Sequence, residues 1–249
     1  MTRRSRLPGR SLLPVAALLG GLWLTGCASQ PQGIAGGDSE ASPADAYTQL
    51  GVAYLERNNL RRAMGALDRA LEIAPDDPEA LQAMAMVYQR QGEESLADET
   101  FRRALAANAD FTRARNNYAA FLYARGRVRE ACEQLERAST DAQYPNRAQL
   151  FANLGQCHLE LGELREARQN LRRAQEIDPR APRSYFTLAE LEYAESNLAQ
   201  ARAQVEAFMR LAGPRPAALR LAGDIARAQG DSATAAFYTQ QLEGRGTTP

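Results

Sequence analysis

Residues 44–77 read ADAYTQLGVAYLERNNLRRAMGALDRALEIAPDD, and their spacing decides how the chain folds. Tyr47, Leu50, Gly51 and Tyr54 share one face at helical spacing; after the Asn58-Asn59 break, Ala63, Leu67 and Ala70 do the same, and Pro75 closes the unit. The pattern then starts again at Pro78. A column of small residues in the second helix of each unit runs Ala63, Ala97, Ala131, Ala167, Ala201 and Ala235. The step along that column is constant, except that the one from Ala131 to Ala167 is longer by two. A matching column in the first helices runs Gly51, Ala85, Ala119, Gly155, Ala189 and Gly223. Both columns have one physical cause: small side chains let two antiparallel backbones approach, while large ones fill the flanks. Glycine costs about 1 kcal/mol against alanine in a helix interior. Gly51 and Gly155 are therefore present for the space they leave.

The period and the small/large alternation resemble a tetratricopeptide repeat array. The resemblance implies an all-α, right-handed superhelical solenoid of α–α hairpins, with repeats at 44–77, 78–111, 112–147, 148–181, 182–215 and 216–243. The third repeat is two residues longer, because Gln143-Tyr144-Pro145-Asn146 replaces a plain proline turn. In the fifth, Phe208 stands where the others carry a late alanine. In the sixth, Thr239 takes a large apolar position, the kind of degeneracy a capping repeat shows. Residues 244–249 are expected to form a disordered tail.

Ahead of the repeats, residues 1–26 read as an export signal. Arg3, Arg4, Arg6 and Arg10 precede an apolar run, Leu12 to Leu24, too short to span a bilayer comfortably. The run ends in Leu24-Thr25-Gly26-Cys27, which resembles a bacterial lipobox and implies cleavage before Cys27 and its lipidation; the alternative is an incidental thiol behind an ordinary signal. Ala28 and Ser29 follow, without an aspartate at the second position, which by the sorting rule for such lipoproteins implies the periplasmic face of the outer membrane. Residues 27–43 form a Gly/Ser/Pro/Gln-rich tether, and a flexible segment of that length spans about 20–25 Å. The chain as a whole is balanced, with Lys+Arg 30 and Asp+Glu 30. Cleavage before Cys27 would remove four arginines and no acid, leaving a mature chain with a small acidic excess. That balance gives no attraction to nucleic acid.

A tetratricopeptide array is by default a protein-binding module, its first helices lining a concave groove. At the positions the family uses for that groove stand Thr48, Val52 and Leu55 in the first repeat, and Gln82, Met86 and Gln89 in the second. Asn116 and Tyr123 follow in the third, Gln156 in the fourth, and Phe186 and Tyr193 in the fifth. The Lys/Asn carboxylate clamp of the family's chaperone-tail binders is replaced by Thr48/Val52 and Gln82/Met86. An apolar or amphipathic polypeptide segment suits this lining better.

Cys132 and Cys157 lie on helices that neighbour each other in such an array. In an oxidising compartment they either pair or serve as two small buried apolar residues, and the sequence leaves both open. His158, the only histidine, occupies the column of Tyr54 and Tyr88 and reads as a core residue. No metal-ligand cluster, activated nucleophile or phosphate loop is recognisable, so neither a cofactor, a metal, a small-molecule substrate nor a catalytic residue is expected.

A narrower resemblance rests on motif order. Asn116-Asn117-Tyr118-Ala119-Ala120-Phe121-Leu122 is followed by Tyr144-Pro145, Arg147-Ala148, Asn153-Leu154-Gly155, Cys157, Leu188-Ala189-Glu190-Leu191 and the Gly213-Pro214 turn. With six repeats and a lipobox, this is similar to the PilF/PilW lipoproteins of bacterial type IV pili. The resemblance implies a pilotin-like role in which the groove binds the pilus secretin or other assembly subunits. A scaffold subunit of another envelope complex, such as an outer-membrane protein assembly machine, is the alternative.

Overall fold

The structure is a computed structural model and describes residues 42–246. The lipobox with Cys27, the tether up to residue 41 and the last three residues lie outside the described residues. Helices α1 (Pro43–Glu56) and α2 (Leu60–Ile73) form the first hairpin, α3 (Pro78–Gln91) and α4 (Glu94–Ala107) the second, α5 (Thr112–Ala124) and α6 (Val128–Ser139) the third. Helices α7 (Arg147–Glu160) and α8 (Leu164–Ile177), α9 (Pro182–Ala194) and α10 (Leu198–Ala212), and α11 (Pro216–Ala228) and α12 (Ser232–Gly246) complete the six. Each helix packs most extensively on its hairpin partner, and each hairpin on the next, so contacts follow the chain as in a one-dimensional solenoid.

Local chemistry sets the element ends. Ser42 and Asp45 form a reciprocal capping box on α1. Asp77 caps α3 ahead of Pro78. The turn inside every hairpin holds one residue in the left-handed region: Asn58, Gly92, Gly126, Gly162, Ser196 and Gly230. Glycine supplies that conformation freely in four repeats, while asparagine and serine carry its cost in the other two.

The alanine column is buried throughout, with all six members between 0 and 5% exposed. Its partner column explains itself in atomic terms. A Cβ on Gly51 would lie 2.5 Å from Leu67 Cγ, and one on Gly155 would lie 2.6 Å from Leu171 Cγ. At Gly223 the nearest such neighbours are 3.7 Å away. The difference follows from one column: where Leu67 and Leu171 stand, the sixth repeat has Thr239, which is shorter. Gly155→Ala is accordingly expected to destabilise the protein by about 1–3 kcal/mol through overpacking. Gly223→Ala should instead stabilise it by up to about 1 kcal/mol through helix propensity. Urea unfolding followed by circular dichroism reads both; equal shifts of the same sign would contradict the argument.

Three expectations need correction. Tyr47 and Leu50 share the face read as apolar, yet they are 40% and 43% exposed. Their equivalents one repeat later, Leu81 and Met84, are buried. Internal repeats have a preceding hairpin to cover this face; α1 has none among the described residues. Helix α12 runs to Gly246, so residues 244–246 are helical where a tail was expected. At the other end, Pro43 already belongs to α1, so the first helix begins inside the segment read as tether.

Candidate protein-binding groove

The first helices of successive repeats pack directly on one another, α1 on α3, α3 on α5, α7 on α9 and α9 on α11, to a degree the second helices do not match. The closer layer is the inner side of the curve, so the first helices line the concave surface. Side chains also bridge α5 and α7 there: Asn153 Nδ2 donates to Asn116 Oδ1 (3.3 Å), and Tyr123 Oη donates to Glu160 Oε1 (3.0 Å). Gln156 continues the ladder, donating to Glu160 (3.1 Å) and accepting from Thr187 Oγ1 (3.2 Å).

Val52, Met86, Gln89, Asn116, Tyr123, Gln156, Phe186 and Tyr193 are partly exposed, as a groove lining requires. Thr48, Leu55 and Gln82 are not: all three are buried, and their placement in the lining is corrected here. Thr48 donates its hydroxyl proton to Asp77 Oδ2 at the seam to the next repeat (3.0 Å). Leu55 joins the apolar cluster around Ala63, Leu67 and Met84. Gln82 points its amide at Met86 Sδ (2.8 Å). In the first two repeats the position held by Thr48 and Gln82 thus faces neighbouring protein groups rather than solvent.

Two concavities follow one another along the inner surface. The first, of about 300 Å³, is lined by Asn116, Asn117, Ala120, Tyr123, Asn153 and Gln156, among others. It is rich in side-chain amides, which can both donate to and accept from a peptide backbone. The second, of about 420 Å³, shares Gln156 and Arg183 with the first and adds Phe186, Glu190, Phe208 and Arg215. Partial desolvation, followed by the hydrogen bond to Glu160, pushes the Tyr123 hydroxyl pKa up. Desolvation, followed by the Glu160 charge, pushes the Glu190 carboxyl up. Reading the sequence one helix per repeat missed Phe208 and Arg215, which come from α10 and the turn after it; the break in the late-alanine column was the available signal.

Behind the groove, Cys132 and Cys157 are joined as a disulfide between α6 and α7, with Cα atoms 5.6 Å apart. His158, next in sequence to Cys157, is buried, its Nδ1 2.6 Å from Glu163 Oε2 and its Nε2 3.8 Å from Glu136 Oε1. Among the described residues no group of His, Cys, Asp and Glu is arranged to hold a metal ion, and no helix is long and apolar enough to cross a membrane.

Profiles of the tetratricopeptide repeat family match residues 44–87, 78–111 and 110–180. The chain is 36% identical, over 224 residues, to the type IV pilus assembly protein PilF of Pseudomonas aeruginosa, covering 88% of each chain. It belongs to the PilF family of tetratricopeptide repeat proteins. A solved structure of Pseudomonas aeruginosa PilF superimposes with a TM-score of 0.75, covering 81% of this chain and 90% of that one. The crystal structure of PilW, a type IV pilus biogenesis factor, is 27% identical with a TM-score of 0.74, covering 82% of this chain and 93% of that one. Similarity to these PilF-family proteins thus extends over most of the chain.

Proposed function

We infer that this chain is a type IV pilus biogenesis factor that works by binding polypeptide segments in its concave groove. The carrying observation is the 36% identity to PilF over 88% of both chains. The groove supports the same reading: partly exposed Tyr123, Phe186 and Tyr193 alternate with amide side chains along the inner helices, the mixture of apolar area and adaptable hydrogen bonding that captures peptides. In the finer reading, Cys27 carries the lipid and holds the repeats at the periplasmic face of the outer membrane, and the pilus secretin is the foremost partner. Binding would then assist secretin multimerisation.

Deletion of the gene is the test. Loss of surface pili together with loss of detergent-resistant secretin multimers is the expected result, restored by the wild-type chain and not by a Cys27→Ala chain. Normal multimers and normal pili in the deletion strain would refute the reading. Pili lost with multimers intact would move the partner from the secretin to another pilus subunit.

A further inference from the structure

The late-alanine column of the second helices reads Ala70, Ala104, Ala138 and Ala174, each buried, and then Phe208. A large aromatic at this position is not needed to close the hairpin, since four repeats close with alanine. Phe208 is only partly buried; it packs against Phe186 of α9, with ring centroids 5.0 Å apart. Together with Pro182 and Ala212 the pair forms the apolar part of the second concavity.

Its rim carries two cations, Arg183 and Arg215. In the third repeat, Arg113 is neutralised by Glu79 of the preceding repeat (3.1 Å). The equivalent of Arg113 two repeats on is Arg183, and the residue in the Glu79 position before it is Gln149, so no carboxylate waits there. Arg215 donates to the carbonyl of Ala212 (3.4 Å), a neutral acceptor. The acids on this wall are Glu190 and, beside it, Glu160; the Glu190 pKa is raised by desolvation and the Glu160 charge, so no arginine dominates its surroundings. Two guanidiniums flanking an aromatic floor complement one kind of ligand.

We propose that this pocket selects polypeptide segments in which an aspartate or glutamate side chain lies within a residue or two of a bulky apolar side chain, the apolar group seated on Phe186 and Phe208 and the carboxylate received by Arg183 and Arg215. The proposal rests on the groove-binding reading above and names the chemistry of what the groove accepts.

A library of capped random dodecapeptides, selected on the full-length protein, tests it. Wild-type protein is expected to enrich acidic–apolar pairs. Arg183→Gln/Arg215→Gln should lose the acidic preference and keep the apolar one. Phe208→Ala should lose the apolar preference; because alanine is the residue of four other repeats at this position, the fold is expected to survive, which circular dichroism checks. A synthetic capped peptide from the enriched set should bind about tenfold more weakly after Glu→Gln exchange. Absence of enrichment, or enrichment indifferent to these substitutions, would overturn the proposal. Pilus assembly is not the readout, so the pocket can fail while the biogenesis role stands, and the reverse.

Discussion

Phe101→Ala is expected to lower the unfolding free energy by about 3–5 kcal/mol, the range for deleting a fully buried phenylalanine. Phe101 is 0% exposed and lies against Tyr118 and Phe121, with ring centroids 5.3 and 5.8 Å away. It belongs to an apolar cluster that runs from Ala85 in the second repeat to Cys157 in the fourth. The void has little chance to collapse, because the Tyr118 ring is held by its hydroxyl, which donates to Asp98 Oδ1 (2.8 Å) and accepts from Arg102 Nε (3.2 Å). Urea denaturation of Phe101→Ala, with Phe237→Ala as the control, measures the effect. Phe237 is 53% exposed, and truncating it should stay within about 0.5 kcal/mol. Comparable losses in the two variants would refute the assignment of the core.

Arg168→Met is expected to be nearly as damaging, at about 3–5 kcal/mol, because it strands a buried charge. Glu192 is 3% exposed; Arg168 grips it through Nε at 2.8 Å and Nη2 at 3.2 Å, also bonds Glu195, and Asn197 Nδ2 donates from 2.8 Å. Burial by itself would push the Glu192 carboxyl up, but the bonds from Arg168 and Asn197 and the charges of Arg168 and Arg172 outweigh it and hold the group below its ordinary value of 4.5. A depressed folded-state pKa contributes stability that is present above 4.5 and is lost as pH falls below it. In the variant burial holds the stranded carboxylate above its ordinary value, so it gains from protonation as pH falls toward 4.5, while wild type loses stability below 4.5; the gap between the two should narrow through that whole range. The repeat itself supplies the rescue. Glu192 lies in the column of Leu122, which is buried without any charge. The double variant Arg168→Met/Glu192→Leu is therefore expected to recover most of the loss. Urea melts at neutral and acidic pH decide; a double variant as weak as the single one would refute the account.

The architecture was legible because one geometric demand, close approach of paired helices, repeats at fixed spacing and writes a column of small residues. A column such as Ala63, Ala97 and Ala131 makes a signal that no single helix could give. The capping degeneracy at Thr239 was equally visible, and the open space at Gly223 follows from it. The groove was less legible. Thr48 and Gln82 occupy a lining position in the repeat, but a polar side chain there either faces solvent or bonds to a neighbouring group, and a periodic pattern does not separate the two. Asp77 and Met86 settle the matter only once the helices are placed. Phe208 carries the converse lesson: it broke the pattern, and the break marked a surface feature rather than decay.

The disulfide falls at the one irregular junction, between α6 and α7, where the repeat is two residues longer than the others. A chain of near-independent units unravels from its ends and parts first at its weakest joint. Here the irregular junction carries a covalent staple. Opening that starts at Ser42 or at α12 must then stop short of the middle, so hydrogen exchange in the outer hairpins and exchange in the centre should report two separate events while the bond is intact, and only reduction should let one half come apart from the other.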